Sequence, residues 1–490
     1  MISRNKLFLG LVIGLLIIIG ICLFNALNFE SRQIFEKEKK HTKISNQAIE
    51  RLKTAIGYKT ISSENTNLID SNEFLNFHRF LEGSFPEIHR NLELTKIGNL
   101  SLLFRWEGTN TKLKPILLMS HQDIVPIDST TIEKWELEPF SGGSKNGYIY
   151  GRGTLDVKSG ILAQMEAVEL LLKKGFKPTR TIYLAYGHDE EVGGQKGAKK
   201  IAQFLKNQNV KIEFILDEGG SIISDVIPGL QNPVALIGVA EKGYLSLELS
   251  VSAKGGHSSM PPSETAIGIL SKAISNLENN PLPYTTDGVG SLMFDYLAPE
   301  MTFSARLAFG NKWLFNPIIK RKLEQNNGTR ATLHTTIAAT IIESGTKENV
   351  LPTSAKATVN FRIIPGENSS SVQKYVKQII NDNRVKIKKT THFQDEPSGI
   401  SNPESPNFRN IQKSISAIFP KTLVAPYLVL GSTDARHYNL LSKNIYRFVP
   451  FRLSKSDLSR MHGLNERISI KNYKESINFY LELLQRTTQK

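Results

Sequence analysis

Residues 159–194, SGILAQMEAVELLLKKGFKPTRTIYLAYGHDEEVGG, contain a helical pattern, a strand pattern and a cluster of acids in succession. Apolar residues recur with helical spacing in the first part, whereas TIYLAYG is a short continuous apolar run typical of a buried strand. The alternation continues outward, with PILLMSH before this stretch and GAKKIAQFLKNQ and KIEFILDEGG after it. Short strands that alternate with amphipathic helices indicate βαβ units. The sequence therefore predicts an α/β domain with a mixed, largely parallel sheet.

Three acids, Asp189, Glu190 and Glu191, directly follow the strand and precede two glycines. Carboxylates massed in this way raise one another's pKa, and a divalent metal ion would relieve that cost. Glu190 and Glu191 cannot aim at the same point from an extended backbone, so we expect one to bind the ion and the other to transfer protons. A solvated acidic turn is the alternative, but it fits poorly after so apolar a run.

Other strand ends in this domain also carry candidate ligands, at the edge where open α/β sheets collect them. His121 and Asp123 share one face of an extended chain, so one can bind a metal while the other orients it. Asp217 ends the strand KIEFILD, and Glu218 is the competing ligand there. Asp156 precedes a helix, where a simple N-cap role is the alternative.

Three histidines later in the chain are further candidates. His257 follows two glycines, where an ordinary loop histidine is the alternative; spacing does not decide whether His437 or His462 supplies a second imidazole. Nitrogen and carboxylate donors without cysteine suit Zn²⁺, with Mn²⁺ or Co²⁺ possible. The excess of carboxylates indicates two ions bridged by one of them, with Glu190 as the general base.

The pattern changes near Glu241. Strict alternation in EKGYLSLELSVSAKGG, ATLHTTIAATIIESG and SAKATVNFRIIPG predicts antiparallel strands with one solvated face. Helical periodicity resumes after Pro365. We therefore expect an inserted α+β domain at 242–365, between two parts of the catalytic domain at 45–241 and 366–490.

Residues 7–24, LFLGLVIGLLIIIGICLF, contain no charged side chain and would span about 27 Å as a helix, at ~1.5 Å per residue. We expect a single-pass membrane anchor within residues 1–30, followed by a charged linker at 31–44. A cleaved signal peptide is the alternative, but no convincing cleavage site follows the run. Arg4 and Lys6 precede it and favour a cytoplasmic N-terminus with an extracytoplasmic body.

The composition favours a globular enzyme. The chain has 61 basic and 46 acidic residues and a net charge of +15, but its lysines are spread without a recognition motif, so we expect no nucleic-acid partner. Apolar residues make up 40% of the chain, which argues against disorder. The sole cysteine is Cys22, inside the apolar run, so the body can hold no disulfide.

Taken in order, SHQDIVP, YGRGTLDVKSG, HDEEVGG, LDEGG, KGGHSSMPP, NVLP with RIIPG, and MHGLNERI closely resemble the motifs of the M20 metallopeptidases. The resemblance is strongest to the carboxypeptidase S branch, which includes N-acyl-amino-acid hydrolases, and it covers roughly residues 45–488. It implies a zinc-peptidase-like catalytic domain with an inserted lid or dimerisation domain, and hence a possible homodimer. It also implies hydrolysis of an amide bond adjacent to a free carboxylate, in short peptides or N-acyl amino acids.

The same resemblance implies a role for each matching residue. It places metal ligands for two zinc ions at His121, Asp156, Glu191, Asp217 and His462, catalytic roles at Asp123, Glu190 and His257, and substrate-carboxylate binding at Asn349 and Arg362. Asp156 would bridge the ions, and His257 would stabilise the oxyanion from a lid domain of the same or a partner subunit. Val157 departs from the wider family, in which an acid often follows the bridging Asp, but it matches the carboxypeptidase S branch. His437 remains the alternative to His462.

Two other functions are compatible with these motifs. One is a biosynthetic deacetylase or desuccinylase of the same fold, but such an enzyme has little use for a membrane anchor. The other is a metal-free binding protein that kept the fold, but all five ligand positions are filled.

Overall fold

The computed structural model describes residues 4–225, 227, 229–285, 288–390 and 394–489, and arranges them around a ten-stranded and a four-stranded sheet. The helices are α1 (Arg4–Leu27), α2 (Asn46–Ile56), α3 (Ser71–Ser84), α4 (Pro86–Asn91), α5 (Lys158–Lys173), α6 (Ala198–Asn207), α7 (Ala266–Asn279), α8 (Val289–Leu297), α9 (Phe303–Gly310), α10 (Lys312–Glu324), α11 (Asn327–Leu333), α12 (Ser369–Ile380), α13 (Pro406–Ile418), α14 (Lys455–Leu458) and α15 (Ile470–Thr488). The strands are β1 (Glu93–Ile97), β2 (Ser101–Trp106), β3 (Ile116–His121), β4 (Ser144–Lys145), β5 (Tyr148–Tyr150), β6 (Ile182–Gly187), β7 (Phe214–Asp217), β8 (Ile222–Ile223), β9 (Val234–Glu241), β10 (Gly243–Ser252), β11 (Gly256–His257), β12 (Thr336–Ser344), β13 (Val350–Leu351), β14 (Ser354–Ile363), β15 (Val385–Lys389), β16 (Leu423–Val429), β17 (Ile445–Arg447), β18 (Arg452–Leu453) and β19 (Arg467–Ser469).

The larger sheet has the strand order β1-β2-β6-β3-β7-β17-β9-β8-β18, with β16 beside β9. Its centre is parallel, since β3 pairs with β6 and β7, and β17 with β7, all in the same direction. The edge strands β1 and β2 are antiparallel. Alternate residues of β2, β3 and β6 join two separate hydrophobic clusters, one with α5 and one with α6, so helices cover both faces. The structure thus confirms the mixed α/β sheet.

Helix α5 is buried on almost every side, where it packs against α15. A helix that is buried around its whole circumference occupies a core position and must supply partners for its polar side chains. Its buried acids have partners: Arg51 donates two hydrogen bonds to Glu166 at 2.6 and 2.7 Å, and Glu169 accepts one from the backbone N of Ile88 at 3.0 Å. A helix held this firmly fixes the position of the segment just before it, which contains Asp156.

The smaller sheet is antiparallel, with the order β12-β14-β10-β15. Strand β10 alternates between buried and partly exposed residues, as the sequence pattern predicted, and its buried side chains pack with those of α7 and α12. This sheet and its two helices form the lid domain, which has a hydrophobic core of its own.

The predicted end of the lid domain at Pro365 requires a correction. Val372, Val376 and Ile380 of α12 lie in the core of the lid domain, and β15 pairs with β10. The chain rejoins the catalytic domain only near Ser398, whose backbone N donates to the carbonyl of Glu241 at 3.2 Å. Helical periodicity after Pro365 correctly indicated a helix, but it could not indicate against which sheet that helix packs.

The interior of the predicted 242–365 segment also requires a correction. Val289, Met293, Phe294 and Leu297 of α8 belong to the core of the catalytic domain, where α8 packs against β16. Helices α9, α10 and α11 continue from α8, and Phe309 of α9 stacks on Phe294 with ring centroids 5.1 Å apart. The helices α8–α11 are therefore a subdomain attached to the catalytic domain and not to the lid sheet.

Because of this subdomain, the chain passes between the two domains four times: before β10, between α7 and α8, between α11 and β12, and after β15. Hydrogen bonds connect these crossings. Tyr244 and Asp395 exchange backbone hydrogen bonds at 2.8 and 2.9 Å, and the backbone N of Thr285 donates to the carbonyl of Leu333 at 3.0 Å. The buried Lys242 donates to two further carbonyls, those of Ala331 at 2.8 Å and His334 at 3.0 Å.

Helix α1 includes the one stretch in the described part of the chain that is long and apolar enough to cross a membrane, Asn5–Leu27. Nearly all of its side chains are exposed, and only the C-terminal turns meet the rest of the protein, where Cys22 and Ala26 are buried. A membrane span and a signal sequence both fit this observation.

Candidate metal centre

Several of the predicted site residues lie close together at one edge of the larger sheet. His121 is the last residue of β3 and lies opposite Gly187 at the end of β6, so the two parallel strands end together. Glu190 and Glu191 lie in a short 3₁₀ turn directly after β6, and Glu218 follows the last residue of β7. This edge contains the carboxyl ends of the parallel strands, as predicted.

The side chains form two donor groups that share one carboxylate. Nε2 of His121 lies 2.8 Å from Oδ1 of Asp156 and 3.1 Å from Oε1 of Glu218. Nε2 of His462 lies 2.8 Å from Oδ2 of Asp156 and 3.3 Å from Oε1 of Glu191. In each group the possible ligand atoms all lie within 4.8 Å of one another. The two oxygens of Asp156 thus face different histidines.

Asp123 holds both sides of this arrangement in place. Its backbone carbonyl accepts a hydrogen bond from Nδ1 of His121 at 2.9 Å, which leaves Nε2 free to act as a ligand. Its carboxylate accepts hydrogen bonds from the backbone N of Glu190 at 3.1 Å, from that of Glu191 at 3.0 Å and from the hydroxyl of Ser62 at 2.6 Å. Burial alone would raise the pKa of Asp123, but the hydrogen bonds, that of His121 above all, lower it.

The acids in the quoted stretch have different environments. Asp189 accepts hydrogen bonds from the backbone N of Lys196 at 2.7 Å and of Gly197 at 2.8 Å, so it shapes the turn and does not enter the site. Burial, with neighbouring carboxylates, raises the pKa of Glu190 well above its usual range and also raises that of Glu191. Asp189 therefore stabilises the turn, whereas Glu190 and Glu191 line the cavity of the site.

The chemistry of the donor atoms fits a pair of divalent cations. Oε1 of Glu191 is buried, and its contact with Nε2 of His462 at 3.3 Å lacks the geometry of a hydrogen bond, so this oxygen has no hydrogen bond to any group that the structure describes. Burial raises the pKa of Glu218 to about 8, with Asp156 and Asp217 adding to the effect. Carboxylates gathered in a low-dielectric site are costly unless positive charge compensates them, and imidazole and carboxylate donors are those that zinc accepts.

The structure favours Glu218 over Asp217 as the partner of His121. Oδ2 of Asp217 accepts a hydrogen bond from the backbone N of Ala435 at 2.8 Å, and Asp217 belongs to neither donor group. Consecutive side chains of an extended chain point to opposite faces. Asp217, the last residue of β7, and Glu218, the next residue, are therefore expected on opposite faces. The choice of Asp217 from sequence did not allow for this alternation.

His437 lies close to the site but belongs to neither donor group. Its Nε2 is 3.1 Å from the carbonyl oxygen of Gly193, and burial, together with the charge of Arg436, lowers its pKa to about 4. His462, in contrast, faces both Asp156 and Glu191. Of the two histidines that sequence spacing could not separate, the structure brings His462 to the carboxylates.

A cavity of about 760 Å³ opens over the donor groups. Arg362 of the lid domain lines it, with its guanidinium 4.5 Å from the ring centroid of Tyr244. Tyr427, Val429 and Met461 give the cavity an apolar wall. It therefore combines a cation, an acidic floor and an apolar surface.

His257 and Asn349 lie together but away from this cavity. His257 ends β11 and Asn349 directly precedes β13 in the two-stranded ribbon, where the backbone N of Ser258 donates to the carbonyl of Asn349 at 3.1 Å. His257 is exposed, and its Nδ1 lies 2.8 Å from the hydroxyl of Ser259. Neither predicted residue lines the cavity within the single chain.

Glu466 is a site residue that the sequence interpretation missed. It is fully buried and accepts hydrogen bonds from the backbone N of Leu155 at 2.7 Å and of Asp156 at 3.2 Å, and from the guanidinium of Arg152 at 2.6 Å. It thereby attaches the loop that carries Asp156 to the segment that carries His462. The residue stood in the quoted motif MHGLNERI, but nothing in its spacing indicated an inward-facing acid.

Comparison with known families identifies the protein class. Residues 117–486 match the model of peptidase family M20/M25/M40, which is more than half of the chain. The chain belongs to this family. The M20 match begins within β3 and ends in α15, so it includes both donor groups and the lid domain.

Curated M20 relatives match nearly the whole chain. "Probable carboxypeptidase S-like 2" of Dictyostelium discoideum is 43% identical over 98% of this chain and 93% of its own length. "N-fatty-acyl-amino acid synthase/hydrolase PM20D1" of Xenopus tropicalis is 39% identical over 98% of this chain and 95% of its own length. Among solved structures, an M20 family metallo-carboxypeptidase from Sulfolobus solfataricus has a TM-score of 0.63 at 19% identity, and covers 90% of this chain and 99% of its own; it supports the fold alone.

These comparisons confirm that the protein is a hydrolase of the M20 metallopeptidase class, as the motifs predicted. They also confirm the predicted resemblance to the carboxypeptidase S branch, because curated relatives at 43% and 39% identity are named as carboxypeptidase S-like and as N-fatty-acyl-amino acid synthase/hydrolase. The alternative of a binding protein that kept only the fold is not supported, because the curated relatives are named as enzymes.

Proposed function

We propose that the protein is a di-zinc hydrolase that cleaves the amide bond next to a free carboxylate in N-acyl amino acids, and in short peptides. The observation that carries this proposal is the position of Asp156, whose two oxygens face the two histidines of separate donor groups. A shared carboxylate between two donor groups is the arrangement that a pair of cations needs. Water and the amide react to give a free amine and a carboxylic acid.

The residues that would hold the two ions are, on this proposal, His121, Asp156 and Glu218 for one, and Asp156, Glu191 and His462 for the other. Zinc supplies Lewis acidity, which polarises an amide carbonyl and makes water a better nucleophile near neutral pH. Mn²⁺ or Co²⁺ could take the same donors. Asp123 orients His121 and, through the backbone N of Glu190 and Glu191, the opposite side of the site as well.

Glu190 would move the proton. It lines the cavity beside Glu191 but belongs to neither donor group. Its raised pKa, caused first by burial, is the property that a carboxylate needs in order to take a proton from water and pass it to the leaving amine. One side chain thus serves as general base and then as general acid.

Arg362 would bind the free carboxylate of the substrate. It is the lid-domain cation that lines the cavity, and a guanidinium can bind a carboxylate through two parallel hydrogen bonds. The apolar wall with Tyr427, Val429 and Met461 suits an acyl chain better than a second charged group. The relatives named as N-fatty-acyl-amino acid synthase/hydrolases support this choice of substrate class.

His257 and Asn349 would act from a partner subunit. Both lie at the ribbon of β11 and β13, outside the cavity of their own chain. The neighbouring strand β12 forms one edge of the lid sheet, and most of its residues are exposed. A homodimer formed through the lid domains would bring His257 to the second subunit's cavity, where an imidazole can stabilise an oxyanion.

Helix α1 would anchor the protein in a membrane by a single span. Its length, apolar composition and almost fully exposed surface support this proposal over a role in the protein core. Arg4 and Lys6 would remain on the cytoplasmic side, with the catalytic body outside.

A metal measurement and a substrate screen test the proposal together. We expect about two zinc ions per chain and hydrolysis of N-fatty-acyl amino acids that is faster than that of matched amides without the carboxylate. Arg362→Ala should raise KM for carboxylate substrates and leave amidated analogues almost unchanged. Full activity after exhaustive chelation would contradict the di-zinc proposal, and equal loss on both substrate types would contradict the role of Arg362.

A further inference from the structure

Helices α9 and α10 expose an unusual amount of apolar surface. Trp313, Leu314 and Ile318 of α10 are 61%, 42% and 60% exposed, and Phe303 of α9 is 43% exposed. Helix α9 has no buried residue, and in α10 only Ile319 is buried. Helices in the protein interior or on an ordinary soluble surface bury an apolar stripe, whereas here much of it faces outward.

The junction between α9 and α10 contacts the C-terminal turns of α1. Asn311, which is fully buried between α9 and α10, donates to the backbone carbonyl of Cys22 at 2.9 Å and accepts from the side chain of Asn25 at 2.8 Å. The backbone of Asn25 and Ala26 passes so close to Gly310 that a Cβ there would lie 3.4 Å from the carbonyl oxygen of Asn25. Helix α9 is therefore packed against the last turns of α1.

This contact sets the depth of α9 and α10 relative to a bilayer. If the apolar part of α1 occupies the hydrocarbon core, its C-terminal turns reach the headgroup region, because the span of Asn5–Leu27 matches the core thickness. The body can approach no further than this point. Helices α9 and α10 then lie at the level of the interface.

The composition of α9 and α10 matches that location. Their charged side chains are Arg306, Lys312, Lys320, Arg321, Lys322 and Glu324, five basic and one acidic. Lys312 pairs with Asp295, and Lys320 lies 3.8 Å from Glu324, but Arg321 and Lys322 are exposed. Exposed Trp, Leu and Ile beside lysines and arginines are typical of helices that lie in the membrane interface.

We propose that α9 and α10 form an interfacial membrane-binding element, with Trp313, Leu314 and Ile318 inserted among acyl chains and the basic residues at anionic lipid headgroups. This inference rests on the proposed anchor α1, and it adds a second membrane contact from the catalytic domain itself. The body is then fixed against the bilayer in one orientation, in contrast to a body that moves freely on the linker after α1.

The test uses full-length protein in vesicles of phosphatidylcholine and phosphatidylglycerol. In a Cys22→Ala background, single cysteines replace Leu16, Ile318 or Ile342 and carry an environment-sensitive fluorophore. These positions are equally exposed in the protein, at 61%, 60% and 61%, so burial within the chain does not distinguish them. Leu16 reports on α1, Ile318 on α10, and Ile342, on the edge strand β12, is the matched control.

Quenching by lipids that carry a bromine or spin label on the acyl chain gives the result. We expect strong quenching at positions 16 and 318, several-fold above that at position 342, with a blue-shifted emission at 318. Quenching at 16 but not at 318 would overturn the interfacial element and leave the anchor intact. The absence of quenching at both would overturn the anchor, and the interfacial element with it.

Discussion

Asp156 is the residue on which both donor groups depend, because each of its oxygens faces a different imidazole. Its position follows from three features that are distant in sequence: the start of α5, the hydrogen bonds that the backbone of its loop donates to Glu466, and the ends of β3 and β7. The sequence motifs predicted Asp156, His121, Glu191 and His462 as ligands, and the structure brings these four side chains together. The motifs left Glu218 only as the competing ligand beside Asp217, since choosing between adjacent acids requires knowledge of the exact residue at which a strand ends.

Glu190→Gln should lower kcat by several orders of magnitude and leave the metal content unchanged. The substitution removes the proton-accepting carboxylate without removing a ligand. The measurements are turnover and bound metal on the same preparation. Glu64→Gln, an exposed acid that lines the same cavity, is the matched control and should retain most of the activity. Normal turnover in Glu190→Gln would contradict the assignment.

Glu218→Gln should lower the affinity for one of the two metal ions by at least about tenfold, because it replaces an anionic ligand with a neutral one. Asp217→Asn should affect metal binding less, since its carboxylate accepts a backbone hydrogen bond from Ala435 and belongs to neither donor group. Metal titration of the two variants checks the order. The reverse order would return the ligand position to Asp217.

His462→Ala should remove more bound metal than His437→Ala. His462 lies within reach of Asp156 and Glu191, whereas His437 contacts the carbonyl of Gly193. Elemental analysis after dialysis against metal-free buffer provides the comparison. Equal retention in both variants would show that a different donor completes the second group.

At the scale of elements, the sequence predicted the central strands of both sheets and several helices, but not always their partners. Period-two alternation identified β10, β12 and β14, and continuous apolar runs identified β3, β6 and β7. Helix α12 was correctly expected as a helix but assigned to the wrong domain. Its apolar face carries no information about which sheet it covers, because both cores use the same aliphatic side chains.

Glu466→Ala tests the connection between the loop that carries Asp156 and the segment that carries His462. Removal of this carboxylate leaves the buried Arg152 without its partner and the backbone N–H groups of Leu155 and Asp156 without an acceptor. Breaking a buried pair in this way costs roughly 3–5 kcal/mol. We expect a lower free energy of unfolding in denaturant titration, and weaker metal binding because the Asp156 loop loses its support. Unchanged stability would show that Glu466 is not needed to hold the loop.

At the scale of the whole molecule, metal binding should stabilise the fold. The donor groups bring together strand ends, the loop before α5 and the segment before β19, so cations bind the folded chain in preference to the unfolded one. A cation at about 100 times its Kd adds about 2.7 kcal/mol. Removal of metal by chelation should therefore lower Tm and abolish activity, and added Zn²⁺ should restore both. A Tm that is insensitive to chelation would contradict this link.

The α8–α11 subdomain was the part of the molecule least accessible from sequence. Its helices carry no motif, and they interrupt the lid domain between α7 and β12 with a segment that folds onto the catalytic domain. A single inserted domain was the simplest interpretation of the change, near Glu241, from alternating helices and strands to strands with period-two alternation. Here the inserted segment itself contains helices that pack on the catalytic domain. The amino-acid composition does not change at the boundaries of these helices, because all the segments have the composition of a globular protein.

The four crossings between the two domains have a mechanical consequence. Two connecting segments would allow the lid domain to rotate about a hinge. Four connecting segments at different positions resist rotation about any single axis, and Lys242 in the segment before β10 also donates hydrogen bonds to the segment between α11 and β12. On the proposed function, stiffness of this kind would hold Arg362 at a nearly constant distance from Asp156, and the pocket would discriminate among carboxylate substrates by the spacing between their amide and their carboxylate. Entry of an acyl chain would then depend on side chains at the cavity mouth more than on movement of the lid domain.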